Sequence, residues 1–233
     1  MAITPVAYSS GNLTGAASSV TCTLPTGWSP GDVCVIHINL KSTTDVTAAT
    51  GWTSVISSNV ASVYFSHAFY RVLQSGDSNP AFTITLASGS GLAWVAADYS
   101  GVASTSTINA SGQQSSASNT TSHLSPTITT TASGCMLLML YGTDVDTTYS
   151  APSEGTIEAH NESTLGSNVD GVTCVVDFLL TGSGATGGQS VTSATSCTFT
   201  GIQVALTPGA SSGGPAISGN PSFFHVYNSD AWD

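Results

Sequence analysis

The sequence is short of charge. Only 6% of its 233 residues are Asp, Glu, Lys or Arg, against about 25% in an ordinary globular domain. Lys41 and Arg71 are the only cations and stand against 13 carboxylates, so the formal net charge at pH 7 is −11. Binding to nucleic acid or to an anionic membrane depends on clustered Lys and Arg. The composition therefore excludes both classes of partner.

Two further signals are missing. No window approaches the roughly 18 consecutive apolar residues that a membrane-spanning helix needs. Residues 1–15, MAITPVAYSSGNLTG, have neither the basic nor the apolar region of a secretory signal peptide. The Ser-, Thr-, Gly- and Asn-rich surface is nevertheless typical of exported and virion β-proteins. We expect a virion protein that is synthesised in the host cytoplasm and released by lysis; removal of a signal segment is the alternative.

The five cysteines offer no metal site. No two of them form a C-x-x-C pair, and their spacing matches no zinc motif. Four lie among alternating apolar residues, which predicts buried free thiols; a cross-link within or between subunits is the alternative. We expect Cys34, Cys135 and Cys174 to be buried between two sheets.

What the sequence does contain is strand-like alternation, most clearly in residues 63–102. Residues 81–86, AFTITL, alternate apolar and polar side chains, which predicts a half-buried strand. Strands rich in aromatic and β-branched residues flank it, and turns rich in Gly, Asn, Asp and Ser separate the three. No stretch longer than about 10 residues has a helical period. The pattern predicts an all-β protein with antiparallel strands.

The second half of the chain repeats this plan. Residues 172–206 contain the same succession of strands and Gly-rich turn, and residues 100–125 are predicted to be the opening hairpin of the second half. Each half alone would expose an apolar sheet face, so we expect the halves to pack together. We predict one jelly-roll-type β-sandwich over residues 1–207, with similar halves 1–103 and 104–207. Two tandem immunoglobulin-like sandwiches are the alternative.

The C-terminal segment differs in composition. Residues 208–221, PGASSGGPAISGNP, are predicted to be a flexible linker, and residues 222–233 to be a docking tail, because an exposed aromatic cluster needs a surface that covers it. The docking side chains are Phe223, Phe224, Val226, Tyr227 and Trp232. We expect them to bind another subunit of a homo-oligomer or another virion protein, such as the major capsid protein.

Residues suited to catalysis are scattered. A nucleophile triad needs Ser or Cys beside His and a carboxylate, often on a shaped turn, but the sequence has no G-x-S-x-G elbow. The histidines occur singly, in unrelated contexts, at His37, His67, His123, His160 and His225. We therefore predict that the protein is not an enzyme, has no catalytic residues and needs no cofactor or metal.

Two acidic clusters are candidate sites. Asp144 and Asp146 offer oxygen ligands for calcium, but the Gly and distal Glu of a calcium loop are missing. Glu154, Glu158 and Glu162 could supply the carboxyl pair of a glycoside hydrolase, but their neighbours favour strand or loop. We interpret both clusters as solvated surface.

Aromatic side chains near strand ends could stack on sugars, as in carbohydrate-binding modules. The candidates are Trp28, Trp52, Trp94 and Tyr149. Their positions in strands or at strand-entry turns favour roles in the core or at the ends of the sandwich.

Residues 69–89, FYRVLQSGDSNPAFTITLASG, residues 93–102, AWVAADYSGV, and the Gly-Trp pair at 51–52 resemble a β-sandwich module of bacteriophage structural proteins and bacterial surface proteins. In that module an aromatic-R-V strand precedes a turn, an F-T-hydrophobic-T strand and a W-V-A-A strand leading to a Y-x-G-V turn. The resemblance covers about 40 residues well and the second half only loosely. It implies a structural or adhesive role without catalytic residues.

These observations lead to one expectation and one alternative. We expect a non-enzymatic structural virion protein of a tailed bacteriophage, a capsid decoration or appendage protein anchored through its C-terminal tail. The alternative is a glycan-binding or adhesin module of a phage or bacterial surface.

Overall fold

The computed structural model describes residues 1–60, 64–163, 165 and 171–210. This part of the chain is all-β, as predicted, and contains no helix, so it contains no helix that could cross a membrane. The strands of the first half are β1 (Thr4–Thr14), β2 (Ala17–Thr21), β3 (Val33–Lys41), β4 (Thr53–Val60), β5 (Tyr64–Val72), β6 (Ala81–Leu86) and β7 (Gly91–Ser100). Those of the second half are β8 (Ile108–Leu124), β9 (Thr129–Thr130), β10 (Met136–Thr143), β11 (Tyr149–Ser150), β12 (Thr156–Glu162), β13 (Val172–Leu179), β14 (Gly184–Ala185) and β15 (Ser190–Leu206).

Each half contributes one large antiparallel sheet. The first has the strand order β1-β7-β3-β5-β4, and the second has the order β8-β15-β10-β13-β12, with the short β11 pairing to the start of β15. The pairs β2-β6 and β9-β14 form two small sheets. The first strand of each half pairs with the last, and the remaining strands follow in the same order. The repeat in the sequence thus has a counterpart in the strand order.

Three hydrophobic cores lie between these layers. Each large sheet packs one face against its own small sheet and the other face against the large sheet of the other half. Representative residues are Ile36 and Phe82 in the first outer core, Val35 and Leu138 in the central core, and Met139 and Val176 in the second outer core. Burial on both faces explains why β3, β7 and β10 are nearly continuous apolar runs.

The two halves contact each other in a reciprocal manner. Edge strand β1 packs across β12, and its counterpart β8 packs across β4, the counterpart of β12. Such self-complementary contacts are those of an isologous dimer, here formed within one chain. The central core is therefore an interface between two similar units.

Strand register identifies equivalent residues of the halves. Cys34 of β3 stands between Arg71 of β5 and Asp98 of β7. Leu137 of β10 stands between Phe178 of β13 and Ala205 of β15 in the same way. Every position of one large sheet can thus be compared with its counterpart in the other.

Candidate functional site

A hydrogen-bonded cluster of Ser54, His67 and Asp45, here called the Ser–His–Asp cluster, lies on the outer face of the first large sheet. His67 Nδ1 lies 2.9 Å from Asp45 Oδ1, and His67 Nε2 lies 2.7 Å from Ser54 Oγ. An ionised carboxylate only accepts hydrogen bonds, so Nδ1 carries a proton, and in the neutral imidazole Nε2 accepts from the Ser54 hydroxyl. This is the arrangement in which a histidine can take the proton of a serine nucleophile.

A β-bulge places Ser54 beside the imidazole. Ser54 is opposite Phe69 and Ile56 is opposite Ala68, so β4 carries one extra residue at this point. Bulges of this kind redirect a side chain and are frequent beside active sites. The imidazole of His67 stacks on the buried ring of Phe69, with ring centroids 4.0 Å apart. Packing therefore holds the histidine in one orientation, while Ser54 remains exposed.

The loop between β3 and β4 supplies the carboxylate. Thr47 of this loop bridges to Thr83 of β6, and the Ser42 hydroxyl donates to the Thr85 carbonyl at 2.7 Å. These contacts hold Asp45 over the sheet, with 32% of its side chain exposed. Partial burial raises the pKa of the Asp45 carboxyl, but the hydrogen bonds that Asp45 accepts, first among them that from His67, outweigh this and keep the pKa below its usual value. Asp45 is therefore ionised at neutral pH.

The second half has the same bulge without the polar cluster. Ile157 occupies the position that corresponds to Ser54, and Cys174 the position that corresponds to His67. Ile157 packs against the second outer core, and Cys174 lies within it. The fold therefore does not require polar groups at these positions.

A cavity of about 330 Å³ opens at the end of the first half, where β5 leads into β6. Arg71 donates to both carboxylate oxygens of Asp77, at 2.7 and 2.5 Å, and these bonds hold the pKa of Asp77 below its usual value. Trp52 and Asn79 also line this end cavity. The polar side chains of Arg71, Asp77 and Asn79 at this cavity suit a sugar better than an apolar ligand.

A second Ser–His contact is buried between the halves. His37 Nε2 lies 2.8 Å from Ser66 Oγ, and His37 Nδ1 lies 2.6 Å from Thr173 Oγ1. His37, Ser66 and Thr173 are all 0% exposed. Burial lowers the pKa of His37 to about 3, with a smaller contribution from His67. Without solvent access this contact joins the two halves and is no candidate for catalysis.

Asn39 is the centre of the same buried network. Its amide donates to the carbonyl of Thr143 at 3.0 Å, to the carbonyl of Val172 and to the hydroxyl of Tyr64. Its carbonyl accepts from the Ser66 hydroxyl at 2.9 Å. Polar groups from both halves are thus satisfied inside the central interface, which keeps the two large sheets in one register.

The other histidines show no comparable site in the described part of the chain. His123 Nε2 lies 2.7 Å from Ser193 Oγ, and burial lowers the pKa of this imidazole to about 4. Burial also raises the pKa of the neighbouring Cys197 thiol to about 11, which makes it a poor nucleophile. His160 is half-buried on β12, and His225 lies outside the described residues.

The acidic clusters are dispersed. Asp144 is buried and accepts from the Thr198 backbone N–H at 3.2 Å, whereas Asp146 is exposed. The interpretation of Asp144 as solvated surface is therefore wrong, because the strand that begins at Ser190 covers it. Glu158 and Glu162 lie on β12, and Glu154 precedes it in a turn. Within the described residues, no group of three or more His, Cys, Asp or Glu side chains could hold a metal ion.

The predicted burial of the cysteines is confirmed. All five thiols are free and buried. Cys34 lies in the first outer core, and Cys135 and Cys174 lie in the second, so none of these three faces the central interface between the large sheets. Side-chain alternation predicted a buried face for each, but could not tell which of the two buried faces it was.

The aromatic candidates belong to the cores. Trp52 and Trp94 are members of the first outer core, and Trp28 packs against it half-buried. Tyr149 packs against the second outer core and shares a hydrogen bond of 2.9 Å with the Thr143 hydroxyl. The core and end-capping roles predicted from the sequence are confirmed for these residues.

The predicted docking tail lies outside the described residues. It comprises the side chains of Phe223, Phe224, Val226, Tyr227 and Trp232. The described part of the chain ends beside the amino terminus: Gly209 donates to the Gly101 carbonyl at 2.7 Å and accepts from the Met1 amino group at 2.7 Å. The docking role of the tail stays a prediction.

Comparison of this chain with protein-family models, with curated proteins and with solved structures finds no match. Its class is defined by its own architecture, an all-β protein with several antiparallel sheets in which two similar halves pack through their large sheets. Among the residues that the structure describes, only those of the first half form a Ser–His–Asp cluster and a charged end cavity.

Proposed function

We propose that the protein is a structural virion protein of a tailed bacteriophage, a capsid decoration or appendage protein. Jelly-roll topology of the sandwich, with tandem immunoglobulin-like sandwiches as the alternative, is part of the same proposal. The observation that carries the proposal is the joining of both halves into one unit by a central core and a buried polar network. A particle component that persists outside the cell needs such resistance to local opening.

The chemistry of the cysteines supports this setting. Burial raises the pKa of Cys22, Cys34 and Cys174 well above that of an exposed thiol. Thiols of this kind are poor nucleophiles and resist oxidation. A protein synthesised in the reducing host cytoplasm could therefore persist outside the cell with its thiols intact.

The proposed anchor is the C-terminal tail, with another virion protein or a further copy of this chain as partner. Deleting residues 222–233 should leave the thermal melting of the purified protein unchanged and abolish its incorporation into particles. A full-length control with Ser at the four aromatic positions of the tail should behave like the deletion. Particles are purified on a density gradient from the source culture and probed with an antibody to this chain. Normal occupancy after the deletion would refute anchoring by the tail, and absence of the intact chain from particles would refute the virion role.

The end cavity favours glycan binding as a second candidate function. Ser78 is exposed at this cavity, so Ser78→Trp should fill its mouth without disturbing the core. Ser75 is exposed on the same turn, and Ser75→Trp is the matched control, since Ser75 is not among the lining residues. On a glycan array, binding that Ser78→Trp removes and Ser75→Trp retains would support this function. Equal binding by both variants would place any glycan site elsewhere.

A further inference from the structure

We propose that the Ser–His–Asp cluster is a serine esterase site, in which Ser54 is the nucleophile, His67 the general base and Asp45 the positioning residue. The inference goes beyond the structural role and does not depend on it. It also opposes the expectation, drawn from the sequence, that the protein is not an enzyme.

Geometry is the first argument. Ser54 Oγ lies 2.7 Å from His67 Nε2, and Asp45 lies 2.9 Å from Nδ1, so the two ring nitrogens have the partners that acyl transfer requires. The exposure of the nucleophile and the burial of the base also suit these roles. Ser54 is exposed, whereas His67 is 7% exposed and held by its stacking on Phe69.

Comparison of the halves is the second argument. The same bulge and the same strand pair exist in the second half with Ile157 and Cys174 at the corresponding positions. Apolar residues there extend the outer core. Replacing them by a hydrogen-bonded Ser–His pair adds nothing that the fold needs, which points to a chemical role in the first half.

The substrate class follows from access and charge. Ser54 is exposed on an edge strand, so it can reach an ester carried on a large molecule. Asp45 places negative charge beside the site, and Arg71, one of two cations in the sequence, is bound by Asp77. These charges disfavour anionic esters. The expected substrate is a short acyl ester of a neutral alcohol, such as an O-acetylated sugar.

The reaction balances with water as the only co-reactant. Ser54 Oγ attacks the acyl carbon and its proton passes to His67 Nε2. The tetrahedral intermediate then collapses, the ester C–O bond breaks, and His67 returns the proton to the leaving alcohol. Water attacks the acyl-Ser54 ester with His67 again as base, which releases the carboxylic acid and restores the serine. Alternate backbone N–H groups of edge strand β4 point away from β5 and are the donors available to the oxyanion.

The test uses the purified full chain with p-nitrophenyl acetate and a fluorophosphonate probe. Wild-type protein should hydrolyse the ester and acquire one phosphonyl group, mapped to Ser54 by peptide mass spectrometry. Ser54→Ala and His67→Gln should lower kcat/KM by at least about 100-fold, the usual contribution of general acid–base catalysis. Thr53→Ala, at the exposed neighbouring position of the same strand, is the matched control and should retain wild-type activity.

The Asp45→Asn variant distinguishes a role of Asp45 in orienting the His67 imidazole from a role in folding. If Asp45 orients the imidazole, this variant lowers kcat at unchanged KM and leaves the melting temperature within a few degrees of wild type. Wild-type kcat/KM in Ser54→Ala, phosphonylation at another residue, or no turnover by the wild-type protein above buffer would each overturn the proposal. Because Ser54 is exposed, its alanine variant remains informative even if His67→Gln fails to fold.

Discussion

At three positions of the large sheets, the first half of the chain places polar groups where the second half places apolar ones. His67 corresponds to Cys174, Ser54 to Ile157 and Asp98 to Ala205. The strand order is nevertheless the same in both halves, and the bulge in the pair β4-β5 recurs in the pair β12-β13. The same backbone therefore accommodates either a polar or an apolar side chain at these positions. Polar groups confined to one half therefore require a reason beyond folding.

Asp98 is the clearest of these differences. Its side chain is 0% exposed, and within the described part of the chain no side chain hydrogen-bonds to either carboxylate oxygen. Burial, and then the charge of Asp32, raises the pKa of Asp98 to about 7. The first outer core thus contains a carboxyl group that is neutral in acid and becomes charged near neutral pH, whereas the second outer core has an alanine there.

The largest effect is expected where the halves approach most closely. A Cβ on Gly171 would lie 2.4 Å from the carbonyl oxygen of Asn39 and 2.8 Å from the backbone nitrogen of Ala93. Because these are backbone atoms of the first half, they cannot move aside without separating the large sheets. Gly171→Ala should lower the free energy of unfolding by about 3 kcal/mol, the upper end of the usual cost of overpacking a dense core. Gly182→Ala is the control, since no atom lies within 4 Å of its added Cβ. Equal urea midpoints for the two variants would contradict the close packing of the halves.

Asp98 should make stability depend on pH. A folded pKa of about 7 lies above the usual value of 3.8, so the folded state holds this proton more tightly than the unfolded chain. The contribution is fully present below the unfolded pKa and is lost as pH rises through 7. Between pH 5 and 8 the wild-type protein should lose about 2–3 kcal/mol relative to Asp98→Asn. The measurement is urea unfolding of both proteins at several pH values. The other titratable groups are the same in both proteins, so the difference between the two curves isolates Asp98, and parallel curves would rule out its titration.

Two asparagines allow a buried hydrogen-bond contact between the halves to be compared with an exposed one in its contribution to stability. Asn39→Ala removes a buried amide that donates to the carbonyls of Thr143 and Val172, and it should lower the free energy of unfolding by about 2 kcal/mol. Asn12 joins the same two halves at the surface, through a bond of 2.9 Å to Asn161. Asn12→Ala should change stability by no more than about 0.5 kcal/mol. The measurement is chemical denaturation of both variants. Similar losses of unfolding free energy would mean that the buried network stabilises the protein no more than the surface bond does.

A small effect is also expected when the first half is given the residues of the second. The double variant Ser54→Ile and His67→Cys copies Ile157 and Cys174 onto the equivalent strand positions. Its free energy of unfolding should stay within about 1 kcal/mol of wild type, because the same backbone already accommodates these side chains elsewhere. Thermal and urea unfolding provide the measurement. A loss of several kcal/mol would assign the Ser–His–Asp cluster a structural role after all.

Strands with clear alternation could be predicted from the sequence. The strand predicted at residues 81–86 is β6, Ala81–Leu86, and its alternate residues Phe82, Ile84 and Leu86 are buried. Residues 100–125 were harder, because they consist almost entirely of small polar side chains. They form no hairpin but include one strand, Ile108–Leu124, that follows β15 with several register shifts. This segment is a strand because it pairs with β15, since it has no alternation of apolar and polar residues of its own.

The sequence by itself determined the all-β class, the similarity of the halves and the burial of the cysteines. Each of these follows from local alternation and turn chemistry, which act over a few residues. Only the tertiary structure decided which polar groups meet. Ser54 and Asp45 lie 13 and 22 residues from His67 in the chain, and no motif joins them. A bulge in β4 and the path of one loop across the sheet bring them together, because side-chain contacts across strands depend on register and loop course, which alternation does not specify.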